Sequence, residues 1–226
     1  GKIRVEVVDL RLELHRGNTS LLSEELRVLL GTTTRRGEQA ILLLNRRGLS
    51  TVVLCRTCGR ALQCPYCDIP LVYHQDRDRL LCHRCNHRAT APRTCHLCGG
   101  ALNYFAAGTQ RVEQEVKHLF PNARGLRWDQ DSLKRRGGHE TLLRRVEKHE
   151  VDIVVGTQMV AKGHDFKKLT LVGILNPDTA LFSQDYRASE RLFAQLMQVA
   201  GRAGRAARNE GGSTSEVLVQ TRYASH

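Results

Sequence analysis

Cysteine occurs in four Cys-x-x-Cys pairs, Cys55/Cys58, Cys64/Cys67, Cys82/Cys85 and Cys95/Cys98, and nowhere else in the 226 residues. A Cys-x-x-Cys forms a tight knuckle that points two sulfurs at one metal. Two zinc ions, each held by four thiolates, use all eight without remainder. A disulfide framework belongs to small secreted domains, and this chain shows no apolar signal stretch. A redox Cys-x-x-Cys occurs once beside a βαβ unit, and iron–sulfur ligands often come in a denser run. The spacing therefore points to two Zn²⁺. The central pairs have zinc-ribbon spacing, which favours a nested arrangement: Cys55, Cys58, Cys95 and Cys98 on one metal, Cys64, Cys67, Cys82 and Cys85 on the other. A cross-braced pairing, first with third and second with fourth, fits the spacing as well. His83, His87 and His96 lie nearby as alternative ligands, surface residues or donors to sulfur.

Two further segments have the makings of a phosphate site. Gly156-Thr-Gln-Met-Val-Ala-Lys-Gly-His-Asp-Phe166 follows the apolar run Val151–Val155. A strand ending in Gly-Thr presents backbone amides and a hydroxyl at the carboxyl edge of a sheet, where α/β proteins bind ligands. There Thr157 can hold a phosphate, Lys162 can add charge and Asp165 can sense a nucleotide; an ordinary strand-to-helix turn has the same look. Gln198-Val-Ala-Gly-Arg-Ala-Gly-Arg205 places Arg202 and Arg205 three apart, each after a glycine. Guanidinium forks suit phosphoryl oxygens and the charge of phosphoryl transfer. The bland counterpart is a basic loop that touches nothing.

These segments need a scaffold. Apolar runs bounded by turn residues predict strands at Val5–Leu10, Ala40–Leu44, Gly125–Trp128, Val151–Val155, Leu169–Leu175 and Glu216–Gln220. Helical patterns fall at Ser20–Leu30, Gln110–Leu119, Leu133–His149 and Ala188–Val199, with Ser20 or Ser23 as caps of the first and Gly137-Gly138 as a possible break in the third. The alternation predicts an α/β fold with a mostly parallel sheet covered on both faces. Residues 1–49 and 105–226 form that unit, and residues 50–104 interrupt it as a cysteine-rich insert.

Charge separates the two parts. The chain carries a formal +12, which suits a polyanionic partner. Residues 50–104 hold seven Arg, three Asp and no Lys or Glu, a formal +4. Eight thiolates and two Zn²⁺ bring the loaded insert close to neutral, so phosphate binding there falls to local patches such as Arg56 with Arg60 or Arg84 with Arg88. Lys117, Arg144, Arg145 and Lys148 are either a DNA face or solvated helix surface. Trp128, at the end of a strand, is expected to pack. No apolar run approaches a membrane span, so no membrane partner is expected.

In order along the chain stand Asn45-Arg-Arg-Gly48, the cysteine cluster, Gly108-Thr-Gln-Arg-Val-Glu113, Gly156–Phe166, Asp185-Tyr-Arg-Ala-Ser-Glu-Arg191 and Gln198–Arg205. Gly156–Phe166 resembles motif V of superfamily 2 helicases and Gln198–Arg205 their motif VI. The full combination, over nearly the whole chain, resembles the bacterial primosomal replication-restart helicases, the PriA family. The resemblance implies a RecA-like helicase lobe with a two-zinc insert, working in a 3′→5′ DNA helicase that hydrolyses ATP with Mg²⁺. It implies arginine fingers at Arg202 and Arg205, with Gln198 positioning or coupling. It implies a motif made of Gly156, Thr157, Gln158, Lys162, Gly163 and Asp165 that links DNA grip to nucleotide state. It also implies forked and single-stranded DNA, primosome proteins and single-strand DNA-binding protein as partners, in the bacterial cytoplasm near the nucleoid. The family's P-loop and acidic Mg²⁺ motif have no counterpart here. The chain is thus expected to be the second lobe and, alone, to turn over no ATP. A zinc-centred docking module without a catalytic role is the alternative.

Overall fold

The computed structural model describes residues 3–44, 51–74, 77–103, 108–129, 132–133, 138–157, 160, 166–175, 177–178 and 214–222, with single positions at 187, 190, 194, 197, 198, 201 and 224. All six expected strands are present in one sheet. They are β1 (Ile3–Asp9), β2 (Gln39–Leu44), β9 (Gly125–Trp128), β10 (Ile153–Gly156), β11 (Leu169–Leu175) and β12 (Ser215–Thr221). Their order is β1-β12-β11-β2-β10-β9, and every pairing is parallel. Every residue of β2, β10 and β11 is buried. A central parallel strand is covered on both faces, so it reads as a continuous apolar run without alternation.

The two faces separate cleanly by strand parity. Ile41 and Leu43 join Leu126, Trp128, Leu142 and Val146 on one side. Leu42 and Leu44 join Leu22, Leu26, Leu30, Val112 and Val116 on the other. The second face is covered by α2 (Glu24–Arg35) and α3 (Thr109–Leu119); the first carries α4 (His139–Glu147). A short helix, α1 (Leu10–His15), follows β1 directly. Leu22, Leu26 and Leu30 fall at i, i+4 and i+8 and are all fully buried. Each contributes about 1.5–3 kcal/mol relative to exposure, which is what holds α2 on the sheet.

Local chemistry sets the helix ends. Ser23 is the N-cap of α2 and accepts from the Leu26 amide at 3.2 Å. Its own amide donates to Gln220 Oε1 at 2.6 Å, while Gln220 Nε2 donates to the Leu21 carbonyl, clamping the helix start to the end of β12. Ser20 does not cap; its hydroxyl donates to Glu115 of α3. The helix also runs past the expected Leu30 to Arg35. Thr32 and Thr34 bond back to the carbonyls of Val28 and Leu30, and packing overrides the weak propensity of Gly31-Thr-Thr-Thr.

The expected helix Leu133–His149 is interrupted at Gly138. Ser132 and Leu133 are helical just after β9, with Asp129 Oδ1 accepting the Ser132 amide at 2.8 Å, and residues 134–137 lie outside the described residues. Gly138 then takes φ +89° and α4 starts only at His139. Of the expected helix Ala188–Val199, positions 190, 194, 197 and 198 are described and helical, and the others lie outside the described residues. Among the described residues no helix is long and apolar enough to cross a membrane.

Gly156 shows how tightly β9 and β10 end together. A Cβ there would come within 2.7 Å of the Trp128 carbonyl oxygen, on backbone that cannot yield. Gly156→Ala is expected to cost about 1–3 kcal/mol through overpacking. Thermal unfolding should show it as a Tm lower by several degrees, whereas Gly125→Ala, at an open position on the neighbouring strand, should move it far less.

Candidate metal centres and the carboxyl edge of the sheet

Between β2 and α3 the described residues form six short strands. β3 (Thr51–Val52), β5 (Val72–His74), β6 (Arg79–Leu81) and β7 (Arg88–Thr90) make one antiparallel sheet, and β4 (Leu54–Cys55) pairs with β8 (Leu102–Asn103). The β4–β8 pair closes the excursion at its base, so Cys55 and Cys58 meet Cys95 and Cys98. The β5–β6 pairing brings Cys82 and Cys85 back to Cys64 and Cys67. Two groups of four thiols result, in the nested arrangement, with all four sulfurs of each group within 4.8 Å of one another.

The four knuckles share one backbone design. The amide four residues after the first cysteine donates to that cysteine's carbonyl, and the first cysteine's amide donates to the carbonyl five residues on. The pairs are Gly59 to Cys55 and Cys55 to Arg60, Asp68 to Cys64 and Cys64 to Ile69, Asn86 to Cys82 and Cys82 to His87, and Gly99 to Cys95 and Cys95 to Gly100. Closing this loop needs a left-handed residue just after the second cysteine. Gly59, Asp68, Asn86 and Gly99 have φ between +52° and +76°. Glycine, asparagine and aspartate are the types that tolerate it. Gly, Asp, Asn and Gly recurring at one offset from the cysteines carry this requirement in the sequence itself.

The sulfurs are spaced for one tetrahedral cation. Zinc–thiolate bonds of about 2.3 Å set the edges of the tetrahedron at about 3.8 Å. Cys55 and Cys98 lie 3.5 Å apart, Cys58 and Cys95 3.9 Å, and Cys64 and Cys85 3.6 Å. An iron–sulfur cluster has an inorganic core between its cysteines and holds their sulfurs further apart. In both groups the first cysteine of each pair is buried and the second is more exposed.

Thiol acidity follows the same geometry. Burial pushes Cys55 up, but the amides of Cys58 and Thr57 outweigh it and bring the thiol to about 7. Cys82 is also drawn down to about 7, chiefly by the Cys85 amide. Burial pushes Cys58 up to about 12, and the neighbouring sulfur of Cys85 pushes Cys67 up to about 12. Cys55 and Cys82 therefore ionise readily, while Cys58 beside the first and Cys67 beside the second resist a further negative charge. A bound dication reverses that resistance.

The histidines take other roles. His83 Nε2 sits 3.2 Å from His74 Nε2, His87 stands edge-on to Tyr66, and His96 is exposed. Gly100 packs against the base group: a Cβ there would meet Thr57 and come within 3.1 Å of Cys55 Sγ. Gly100→Ala is expected to lower metal content by one ion per chain, read by elemental analysis, with the outer group still loaded.

At the carboxyl edge of the large sheet, Gly156 is buried at the end of β10 and Thr157 is half-buried just beyond it. Gln158, Lys162, Gly163 and Asp165 lie outside the described residues, as do Arg202 and Arg205. Gln198 is helical and exposed. One cluster at this edge had no assigned role in the sequence. Thr109, the residue after Gly108, donates its hydroxyl to Asp129 Oδ2, and Arg127 Nε lies 3.4 Å from the same oxygen and 3.9 Å from Glu113. Burial would raise the Asp129 carboxyl, but Thr109, the Ser132 amide and Arg127 hold it below the ordinary carboxylate range. The cluster ties the start of α3 to the end of β9. The candidate cationic face on the helices is locally paired: Lys117 with Glu113, Arg144 with Glu140 and Arg145 with Glu150.

Comparison with known proteins joins these parts. Residues 64–89 match the family model described as the PriA DNA helicase Cys-rich region domain, and residues 96–207 match the helicase conserved C-terminal domain. The chain is 46% identical over 223 residues to replication restart protein PriA of Bacillus subtilis, covering 98% of this chain and 27% of that protein. It is 42% identical over 227 residues to the Synechocystis protein of that name, covering 98% of this chain and 27% of the relative. For the Haemophilus influenzae protein the identity is 42% over 226 residues, covering 99% and 30%. The chain thus spans under a third of the length of these relatives. A parallel α/β sheet interrupted by two four-cysteine groups, in a chain matched along nearly all its length by these relatives, places the chain in the PriA family.

Proposed function

We propose that the chain is the C-terminal motor lobe and zinc module of an ATP-dependent 3′→5′ DNA helicase that restarts stalled replication forks and assembles the primosome. The observation that carries this reading is the coincidence, in one chain, of the Cys-rich-region match and the helicase C-terminal match. Residues 1–49 and 105–226 form the lobe and residues 50–104 the insert. Cys55, Cys58, Cys95 and Cys98 hold one Zn²⁺, and Cys64, Cys67, Cys82 and Cys85 the second. Zinc here is structural: it fixes the insert and takes no part in turnover.

In the lobe, Arg202 and Arg205 reach the γ-phosphate of an ATP whose Mg²⁺ and remaining phosphates are held by the first lobe. Gln198 positions that loop. Gly156, Thr157, Gln158, Lys162, Gly163 and Asp165 couple the DNA strand to the nucleotide. The buried end of β10, where Gly156 lies against Trp128, gives this segment a rigid base. Forked and single-stranded DNA, primosome proteins and single-strand DNA-binding protein are the partners, in the bacterial cytoplasm. A docking module without catalysis is favoured by one observation, the near-neutral charge of the loaded insert. Both roles fit within one protein.

The two readings part on a complementation assay. The chain alone is expected to turn over ATP at background rate, because it brings the fingers without the phosphate cradle. Joined to the P-loop lobe of the same protein, it should restore hydrolysis that rises with forked DNA. Robust turnover by the chain alone, or none after joining to a lobe that binds ATP, would sink the motor reading.

A further inference from the structure

A crevice of about 270 Å³ opens where β2, β11 and β12 end, between Ser20-Leu21 ahead of α2 and Arg111-Val112 in the first turn of α3. Open α/β sheets take their ligands outside the carboxyl ends of the strands. The insert closes the third side with Arg56, Leu102 and Asn103. The crevice is therefore shared between the sheet and the base metal group, since Arg56 lies within the Cys55–Cys58 knuckle.

Its lining combines apolar and cationic side chains. The half-buried Leu14 and Leu102 supply the accessible apolar surface, backed by the buried core residues Leu44 and Val112. Glu13 is the one carboxylate among the lining residues, and it is already committed: its Oε2 accepts Asn18 Nδ2 at 2.6 Å and the Glu24 amide at 2.7 Å. Of the three lining arginines, Arg222 is engaged within the fold, with its amide on Asp178 and its charge beside Asp9. Arg56 reaches the Thr19 carbonyl at 3.3 Å, which leaves most of its guanidinium donors available. Arg111 is exposed and forms no ion pair with a described residue. A flat apolar group bearing a phosphate satisfies both halves of such a site.

We propose that this crevice is a subsite for one nucleotide of single-stranded DNA, its base against Leu14 and Leu102 and its phosphate between Arg56 and Arg111. The assignment rests on the motor reading above and deepens it. It gives the base metal group a function beyond stability, because the metal orders the knuckle that presents Arg56 to the strand. Apolar contact with the base carries no sequence code, as suits a protein that must move along any strand.

The test is fluorescence anisotropy of the zinc-loaded chain with labelled oligo(dT), comparing wild type with R56A/R111A and with R144A/R145A. The second pair removes the same charge from α4, on the opposite face of the sheet. R56A/R111A, with both metals still present, is expected to bind at least about tenfold more weakly, and its log K against log salt slope should fall by about 0.7 for one lost phosphate contact. R144A/R145A should stay within about twofold of wild type, as expected for arginines already paired at the surface. An oligonucleotide with abasic positions should bind wild type more weakly than oligo(dT), and that difference should vanish in R56A/R111A. Equal losses in the two double variants, or an abasic strand bound as well as oligo(dT) by wild type, would overturn the subsite while leaving the motor reading standing. The motor reading fails separately, in the complementation assay.

Discussion

Stripping the chain with a strong chelator is expected to release two Zn²⁺ per chain and to unfold residues 51–103, while the six-stranded sheet persists. The insert's own core consists of Val53, Leu62, Leu71, Tyr73 and Leu80 with Cys64 and Cys82 among them. Its strands are two or three residues long. Segments of this size do not bury enough apolar surface to order themselves unaided. Structural zinc supplies about 10–16 kcal/mol in small domains of this kind, so the effect is close to all-or-none. The main sheet has separate cores on its two faces and draws on neither cysteine group.

Hydrogen exchange resolves the two regions. Amides in residues 51–103 should lose protection in chelator, and those of β2, β10 and β11 should keep it. Persistent protection in the metal-free insert would show that the cysteine groups do not hold it together. The pairing is tested in the same way by substitution. Cys64→Ser with Cys82→Ser should lose one metal, because both serve the outer site. Cys64→Ser with Cys95→Ser should lose two. A cross-braced insert would lose two metals with the first combination.

On the motor reading, Arg205→Ala in the full-length protein should lower fork-DNA-stimulated ATP hydrolysis by about two or more orders of magnitude with DNA binding retained, as removal of an arginine finger does. Arg205→Lys should not rescue it. An ammonium is a point charge, and it cannot replace the planar fork that meets two phosphoryl oxygens together. Retained DNA binding is the control that separates loss of chemistry from loss of fold. Turnover equal to wild type would remove the Gly-Arg loop from the catalytic machinery, and the zinc-centred docking reading would take its place.

Much of this protein is written in local pattern. Eight cysteines in four knuckles point to the metal chemistry and its count, because a Cys-x-x-Cys turn is closed by its own residues and the two that follow. The alternation of apolar runs and helical stretches determines a parallel α/β sheet, because a strand covered on both faces must be apolar throughout. The four left-handed residues after the knuckles were legible in the same way, from Gly, Asp, Asn and Gly recurring at one offset.

Tertiary structure decided the rest, and for one physical reason: each undecided choice had two locally equivalent answers. Nested and cross-braced pairings satisfy the same spacing, and only the β5–β6 register, Val72 opposite Leu81, together with the β4–β8 closure, brings Cys64 to Cys85 and Cys55 to Cys98. Ser20 and Ser23 are equally good caps, and the choice was made by Glu115 and Gln220, about a hundred and two hundred residues away in sequence. Gly137-Gly138 permits a break, and the positive φ of Gly138 makes one where α4 must turn onto the sheet. The crevice between the helices and the base knuckle belongs to this second class. Its residues run from Leu10 to Arg222, and no spacing along the chain unites them.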